Sequence, residues 1–155
     1  MSHYGRNFGK TVINMIGRFH KTWGDFGGLT SPEMLEYCFA YGLANGMPPT
    51  IGDHFHPRGD LQYDVFHLIQ EVYRRLRRFD SCYEKSENIS EIALLISPET
   101  WDKNPQLLNA AYGAARLLDE LQMQFNVLDY HMDFSNYKLL ILPEYHILPQ
   151  NIAEK

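Results

Sequence analysis

The stretch TVINMIGRFHKTWGDFGG, residues 11–28, passes from an apolar run with β-branched residues into a polar, glycine-rich segment. This change is typical of a buried strand that ends in a loop. The residues that follow combine a hydroxyl cap, a proline and a glutamate, which indicates the start of a helix. They are Thr30, Ser31, Pro32 and Glu33.

The same succession of strand, loop and helix occurs again along the chain. The first helix is expected to end at Asn45-Gly46, and apolar residues then recur at strand or helix spacing in each later segment. This alternation predicts an α/β protein with parallel sheets. The further strands are expected at Pro49 to Gly52, Ile92 to Ile96, Phe125 to Leu128 and Leu139 to Leu142, and the further helices at Gln62 to Phe79 and from Asn104-Pro105 onward.

The chain is expected to contain parts of two domains. A polar stretch, residues 81–90, is the best candidate for a linker between a first domain, 1–80, and a second, 91–155. Two parallel strands leave open edges, so the first part does not close by itself. The second part has the opening order of a doubly wound sheet and ends at the start of a further helix. We therefore interpret the chain as a fragment that joins the end of one βα domain to the start of another.

Composition excludes several classes of protein. The 155 residues are 45% apolar, which is enough for a buried core. A net charge of -5 argues against a nucleic-acid partner, because phosphate binding requires clustered cations. No apolar stretch is long enough to cross a membrane, and the first residues lack the apolar core of a leader. We expect no membrane partner and favour the cytoplasm. Cys38 and Cys82 are interpreted as reduced packing residues.

Two loops carry the candidate functional residues, because ligands of parallel βα folds meet the loops after the strands. Loops 20–28 and 53–59 each combine a carboxylate, a histidine, a cation and an aromatic ring. This mixture suits a sugar site, although the acids could instead cap loops and the rings could be core. We expect both loops to face one shared cleft. The candidate catalytic residues are Asp25 and Asp53, and the candidate substrate contacts are His20, Lys21, Trp23, His54, His56 and Arg58.

A metal site is the alternative for the second loop. His54 and His56 are two residues apart, so their imidazoles could share a zinc ion with Asp53 or His20 as a third ligand. The sequence lacks the spacing of a compact zinc motif, and we expect neither a metal nor a cofactor. Residues 97–101, after the first strand of the second part, lack the glycines of a dinucleotide site. Asp129 alone is then interpreted as a loop carboxylate.

The segments around both loops resemble the closing part of a glycoside hydrolase (β/α)₈ barrel. Residues 18–28, the helix end Ala44-Asn45-Gly46 and residues 51–59 are similar to putative glycosyl hydrolases related to α-L-fucosidases. In that group a flavodoxin-like domain follows the barrel and is similar to the trimerisation domain of certain β-galactosidases. The resemblance implies a parent enzyme that hydrolyses a glycosidic bond with two carboxylates, acts on a carbohydrate substrate and forms a homo-oligomer. The nucleophile of those relatives lies on an earlier strand, so the isolated chain is expected to be inactive.

Two further functions remain open at this point. The second part of the chain could chiefly mediate contacts in an oligomer, which would make the chain an assembly module. Alternatively, the chain could be a stand-alone module that binds a sugar or a metal.

Overall fold

The computed structural model describes residues 2–97, 105–143 and 148–154. Residues 9–88 form one compact unit, which we call the first unit. Residues 3–8 and the described residues from 89 onward form the other, which we call the second unit. No helix within the described ranges combines the length and the apolar character needed to cross a bilayer.

The first unit is built on two parallel strands, β1 (Asn14–Gly17) and β2 (Pro49–Gly52). Helix α2 (Pro32–Ala44) connects them, and helix α3 (Tyr63–Leu76) follows β2. The two helices pack against each other. The core of the unit is formed by buried apolar side chains of the two helices, and Ile16 of β1 and Ile51 of β2 pack against it. The helical core residues are Leu35, Phe39, Ile69, Val72 and Leu76.

Local sequence explains why α2 begins and ends where it does. The Ser31 side chain accepts a hydrogen bond from the Met34 amide at 3.2 Å, and Pro32 stands in the first turn, where its missing N–H costs nothing. At the other end Gly46 has φ of +72°, a conformation that glycine adopts without strain. The predicted strand, helix and turn of this segment are therefore confirmed.

The region after α3 was predicted to be a linker, residues 81–90, but its first residues belong to a helix. A 3₁₀ turn (Arg77–Phe79) follows α3, and a short helix α4 (Asp80–Tyr83) continues directly from it. The compact first unit extends to residue 88, so the division between the two units falls within the predicted linker, residues 81–90. Polar composition marked the region correctly as exposed, but exposed residues can also form a helix.

The second unit contains a three-stranded parallel sheet. Its strands are β3 (Ile92–Leu95), β4 (Phe125–Leu128) and β5 (Leu139–Ile141), in the spatial order β4-β3-β5. Helix α5 (Pro105–Glu120) connects β3 with β4, and a short helix α6 (Gln150–Ala153) is the last described element. Every residue of β3 is buried, as expected of a central strand.

The N-terminal residues belong to the second unit, although they precede the first unit in sequence. Helix α1 (Ser2–Gly5) and the turn after it place Tyr4 against the core of the β3-β4-β5 sheet. A domain of residues 1–80 therefore does not describe where residues 3–8 pack. No hydrophobic periodicity marks so short a segment, so sequence reasoning had no signal for this contact.

Candidate functional site

The two candidate loops leave the same end of the first sheet. In the parallel register of β1 and β2, Gly17 lies opposite Gly52, and each glycine is the last residue of its strand. Arg18 and Asp53 follow these glycines directly, and Arg18 N donates to Gly52 O at 3.0 Å. The expectation that both loops lie at one end of adjacent parallel strands is confirmed.

An ion pair joins the starts of the two loops. Arg18 Nε donates to Asp53 Oδ1 at 2.8 Å. Arg18 is only 1% exposed, whereas the Asp53 side chain is 25% exposed. Asp53 Oδ1 also accepts from the His54 amide at 2.7 Å, while Oδ2 has no hydrogen-bond partner among the described residues. One oxygen of Asp53 thus fixes the loops together, and the other is available to a ligand.

The Arg18 guanidinium has partners on every side. Its Nη2 donates to Gln62 Oε1 at 3.0 Å, so the start of α3 is attached to the same group. The guanidinium carbon lies 4.3 Å from the ring centroid of Phe19 and 5.6 Å from that of Phe26. A planar cation that is hydrogen-bonded at its edge and covered by aromatic faces is stable in a buried position.

The first loop is closed at its base by Thr30. Its amide donates to Arg18 O at 2.8 Å, and its hydroxyl donates to Phe19 O at 2.7 Å. Thr30 itself is buried. These bonds fix the ends of the loop, which limits the space that its side chains can explore.

Trp23 packs on the ends of both strands. The benzo ring of its indole lies against Gly17 and Gly52, and a Cβ added to Gly52 would meet ring atoms at 2.8 Å. Only glycine at position 52 leaves room for this contact. Trp23 is nevertheless 58% exposed, and its ring meets Phe19 edge to face at 5.2 Å. The protein therefore supports a large aromatic surface that still faces solvent.

Phe26 connects the first loop with the histidines of the second. Its ring stacks on His54 at 5.7 Å and meets His56 edge to face at 5.0 Å. Aromatic contacts of this kind orient the rings that take part in them. Phe26 thus limits the directions in which both imidazoles can present a donor or an acceptor.

The tautomer of His56 follows from its backbone contact. The Arg58 amide donates to His56 Nδ1 at 3.2 Å, so in this arrangement Nδ1 is unprotonated and the ring proton is on Nε2. The Arg58 guanidinium is paired with Asp60 at 3.3 Å and is exposed. His56 can therefore donate to a ligand through Nε2, whereas Arg58 lies at the surface.

Asp25 occupies a different environment from Asp53. Its amide donates to Thr22 O and its carbonyl accepts from Gly28 N, so the residue closes a turn within its own loop. A Cβ on Gly28 would lie 2.2 Å from Asp25 Oδ2, which shows that the carboxylate folds back onto Gly28. Asp25 is half-buried.

Six of the eight candidate residues line two cavities, which differs from the expectation of one shared cleft, and Asp25 and Arg58 line neither of the two. A cavity of about 200 Å³ is lined by Arg18, Asp53, His54, His56, Asp60 and Gln62, among others. A second cavity of about 610 Å³ is lined by His20, Lys21, Thr22 and Trp23 together with the start of α2. Arg18 lines the first cavity and its stacking partner Phe19 lines the second. This contact therefore lies between the two groups of candidates.

The described residues contain no cluster of three or more histidines, cysteines or acids that could hold a metal ion. The third ligand that a shared zinc ion would require thus has no counterpart in the described part of the site.

Sequence reasoning did not assign a role to Arg18, Gln62 or Phe26. A signal for Arg18 existed, because Gly17-Arg18 and Gly52-Asp53 end two adjacent parallel strands with opposite charges. Phe26 and Gln62 carried no comparable signal, since their partners lie in distant segments.

In the second unit Asp129 follows β4 and is buried. It accepts from Tyr4 OH at 2.6 Å and from the His131 amide at 2.8 Å. Burial, with the hydrogen bond to Asp129, raises the pKa of Tyr4 to about 12. Asp129 thus accepts hydrogen bonds from helix α1 and from the loop after β4, and most of the 97–101 segment lies outside the described residues.

Comparison with solved structures finds two proteins that are similar to nearly the whole of this chain. It matches an alpha-L-fucosidase isoenzyme 2 from Paenibacillus thiaminolyticus at a TM-score of 0.85 and 31% identity, over 99% of this chain and 24% of that one. It also matches a catalytic mutant of a GH42 beta-galactosidase from G. stearothermophilus at a TM-score of 0.75 and 16% identity, over 99% of this chain and 26% of that one. No family model and no curated protein matches. The chain spans about a quarter of each structure, and its α/β fold is like that of glycoside hydrolases.

Proposed function

We propose that the chain is part of a glycoside hydrolase, fucosidase-like or galactosidase-like, and that it forms one wall of the sugar site. In this proposal the first unit is the end of a (β/α)₈ barrel and the second is the start of a flavodoxin-like domain. The observation that carries the proposal is the pair of loops that the Arg18–Asp53 ion pair joins at one end of the first sheet. It is supported by the 31% identity to a fucosidase over 99% of this chain.

Asp53 is the better placed of the two proposed catalytic carboxylates. It lines the smaller cavity and is held by Arg18 through one oxygen, with the other open to a ligand. Fixed orientation favours a group that must meet a reacting atom at short range. Asp25 would need to turn away from Gly28 to reach a ligand, so we propose it as the second carboxylate only with a movement of its loop.

The remaining candidates would bind sugar hydroxyls and the apolar face of the ring. Trp23 offers an exposed indole for stacking, and His20 and Lys21 lie in the same cavity as donors. His54 and His56 would bind hydroxyl groups in the other cavity, with His56 donating through Nε2. We assign Arg58 to the rim, where a substrate could draw it from Asp60.

Hydrolysis requires parts that this chain does not supply. Retaining and inverting glycosidases both need two carboxylates at a set separation. This separation is about 5 Å in retaining enzymes and about 6.5–9.5 Å in inverting ones. The chain covers about a quarter of the fucosidase it matches. We therefore propose that the isolated chain binds a sugar weakly without hydrolysing it, and that it associates into oligomers through its open sheet edges.

Fluorescence can test the sugar-binding role directly. The chain has two tryptophans, so Trp101→Phe leaves Trp23 as the only tryptophan, whose emission can be excited selectively over the tyrosines. Titration with L-fucose and with D-galactose should change its emission in a saturable way, because a stacked ring alters the surroundings of the indole. The matched control is Tyr37→Ala, which removes another exposed aromatic ring from the same unit.

The outcomes separate the proposed function from its alternatives. Binding of either sugar that is lost in Lys21→Ala, at an exposed residue that lines the same cavity as Trp23, and retained in Tyr37→Ala supports a sugar-site wall. Absence of binding to both sugars at 100 mM would contradict it and would favour an assembly module.

A further inference from the structure

Asp53 is bound to Arg18 through a single hydrogen bond. Arg18 Nε donates to Asp53 Oδ1 at 2.8 Å, and among the described residues the guanidinium makes no second bond to this carboxylate. Two parallel bonds would fix the relative orientation of the two planar groups, but one bond does not. The direction of the Asp53 carboxylate therefore depends on what else holds Arg18.

Gln62 supplies the second point of attachment. Its Oε1 accepts from Arg18 Nη2 at 3.0 Å, and only the amide oxygen can face this group because a guanidinium has no acceptor. The other terminal nitrogen, Nη1, lies 3.5 Å from Gly28 O, which is long for a hydrogen bond. The Phe19 ring covers the cation at 4.3 Å, but a contact with a ring face does not fix how the cation turns above the ring. Gln62 therefore sets the orientation that the bond to Asp53 leaves open.

The Gln62 side chain is not used for the purpose that its place in the chain suggests. Gln62 is the N-cap of α3, where a side chain usually accepts from an amide of the first turn. Gln62 makes no such bond. Asparagine, aspartate, serine and threonine are the residues that cap well, and glutamine is not among them. The side chain thus serves Arg18 instead of the start of the helix.

The same attachment closes the segment that carries two candidate histidines. Asp53 and Gln62 stand at the two ends of residues 54–61, and both bind one guanidinium. His54 and His56 lie in this segment and line the cavity of about 200 Å³ together with Asp53 and Gln62. Fixing both ends of a short segment limits the positions that its side chains can take.

We propose that Gln62 is a positioning residue of the sugar site, which acts through Arg18 to hold the open oxygen of Asp53 toward the ligand. This inference rests on the proposed function, because it takes Asp53 as the carboxylate that meets the sugar. Glutamine suits this task because its amide is neutral. It holds the guanidinium without adding a second carboxylate that would compete with Asp53 for the charge of Arg18.

The ratio of two affinities measures this positioning in the full chain. The two ligands are a cationic iminosugar, fucose-configured or galactose-configured, and the neutral sugar of the same configuration. Attraction to Asp53 raises the affinity for the cation alone, and a carboxylate that is out of place attracts it less. The ratio is insensitive to partial unfolding, because a smaller folded fraction lowers both affinities by the same factor. Calorimetry gives both affinities.

Gln62→Asn separates positioning from a role in starting α3. Asparagine is a good N-cap, so the start of α3 is kept, but its side chain is shorter by about 1.5 Å and loses the contact with Arg18 Nη2. A wild-type preference of about tenfold for the iminosugar should fall to about threefold. Gln62→Met keeps the length of the side chain, lacks the acceptor and should give the same fall. The matched control Gln70→Met, at an exposed position on α3, should keep the full preference.

The proposal is overturned if Gln62→Asn or Gln62→Met keeps the wild-type ratio. It is equally overturned if both affinities fall in proportion, as loss of a direct contact between Gln62 and the sugar, or loss of folded protein, would produce. A wild type that shows no preference contradicts the proposed function, and this inference fails with it. An unchanged ratio in the variants, with the preference present in the wild type, removes this inference alone.

Discussion

Replacing Asp53 by alanine should destabilise the first unit much more than replacing its partner. Asp53→Ala leaves Arg18, which cannot lose its charge, at 1% exposure without its carboxylate. Leaving a buried charge unpaired costs about 3–5 kcal/mol. Arg18→Met leaves the charge on Asp53, whose side chain is 25% exposed and can gain water, so we expect a loss of about 2 kcal/mol.

Urea unfolding followed by Trp23 emission in the Trp101→Phe background measures these free energies for the first unit. The exposed pair Glu71 and Arg74 provides matched controls, because Glu71→Ala and Arg74→Met should have little effect. The reasoning is refuted if Asp53→Ala costs no more than Arg18→Met, or no more than Glu71→Ala.

Three further predictions concern the site, His3 and the activity. Gly52→Ala should displace the indole of Trp23, shift its emission and weaken sugar binding, whereas Gly27→Ala, whose added carbon would meet its nearest neighbour at 4.0 Å, should not. Burial lowers the pKa of His3 from its ordinary value of 6.5, with Arg6 and Asp119 as the charged neighbours. Stability of the second unit should therefore be complete above about pH 6.5 and fall as the pH drops below it, and His3→Phe should remove this dependence in amide exchange. The isolated chain should not hydrolyse aryl α-L-fucosides or aryl β-galactosides, and turnover that survives Asp25→Ala and Asp53→Ala would contradict both the fragment interpretation and the residue choice.

Sequence patterns predicted the elements well because the patterns are local. The cap at Ser31, the glycine at Gly46 and the apolar run at β3 each specify structure within a few residues, and each element lies where the pattern indicated. Parallel pairing followed from the alternation of strands and helices. The position of both loops at one sheet end then followed from topology.

Contacts between distant segments could not be predicted in the same way. The side chains of His3, Arg6 and Asn7 bind a strand about 120 residues later in the chain, and nothing in residues 3–7 indicates this partner. Within the site, the division into two cavities depends on how Arg18 and Phe19 pack. Residue types alone do not fix such packing.

Binding of an iminosugar tests the central claim most directly. A site built for glycoside hydrolysis places a carboxylate beside the position where positive charge develops, so it should bind a cationic iminosugar more tightly than the neutral sugar of the same configuration. Calorimetry on the isolated chain should show a preference of about tenfold for the fucose-configured or galactose-configured iminosugar, equivalent to about 1.4 kcal/mol. This preference should disappear in Asp53→Asn. Equal binding of the charged and neutral compounds by the wild type, or a preference that Asp53→Asn leaves unchanged, would contradict the account.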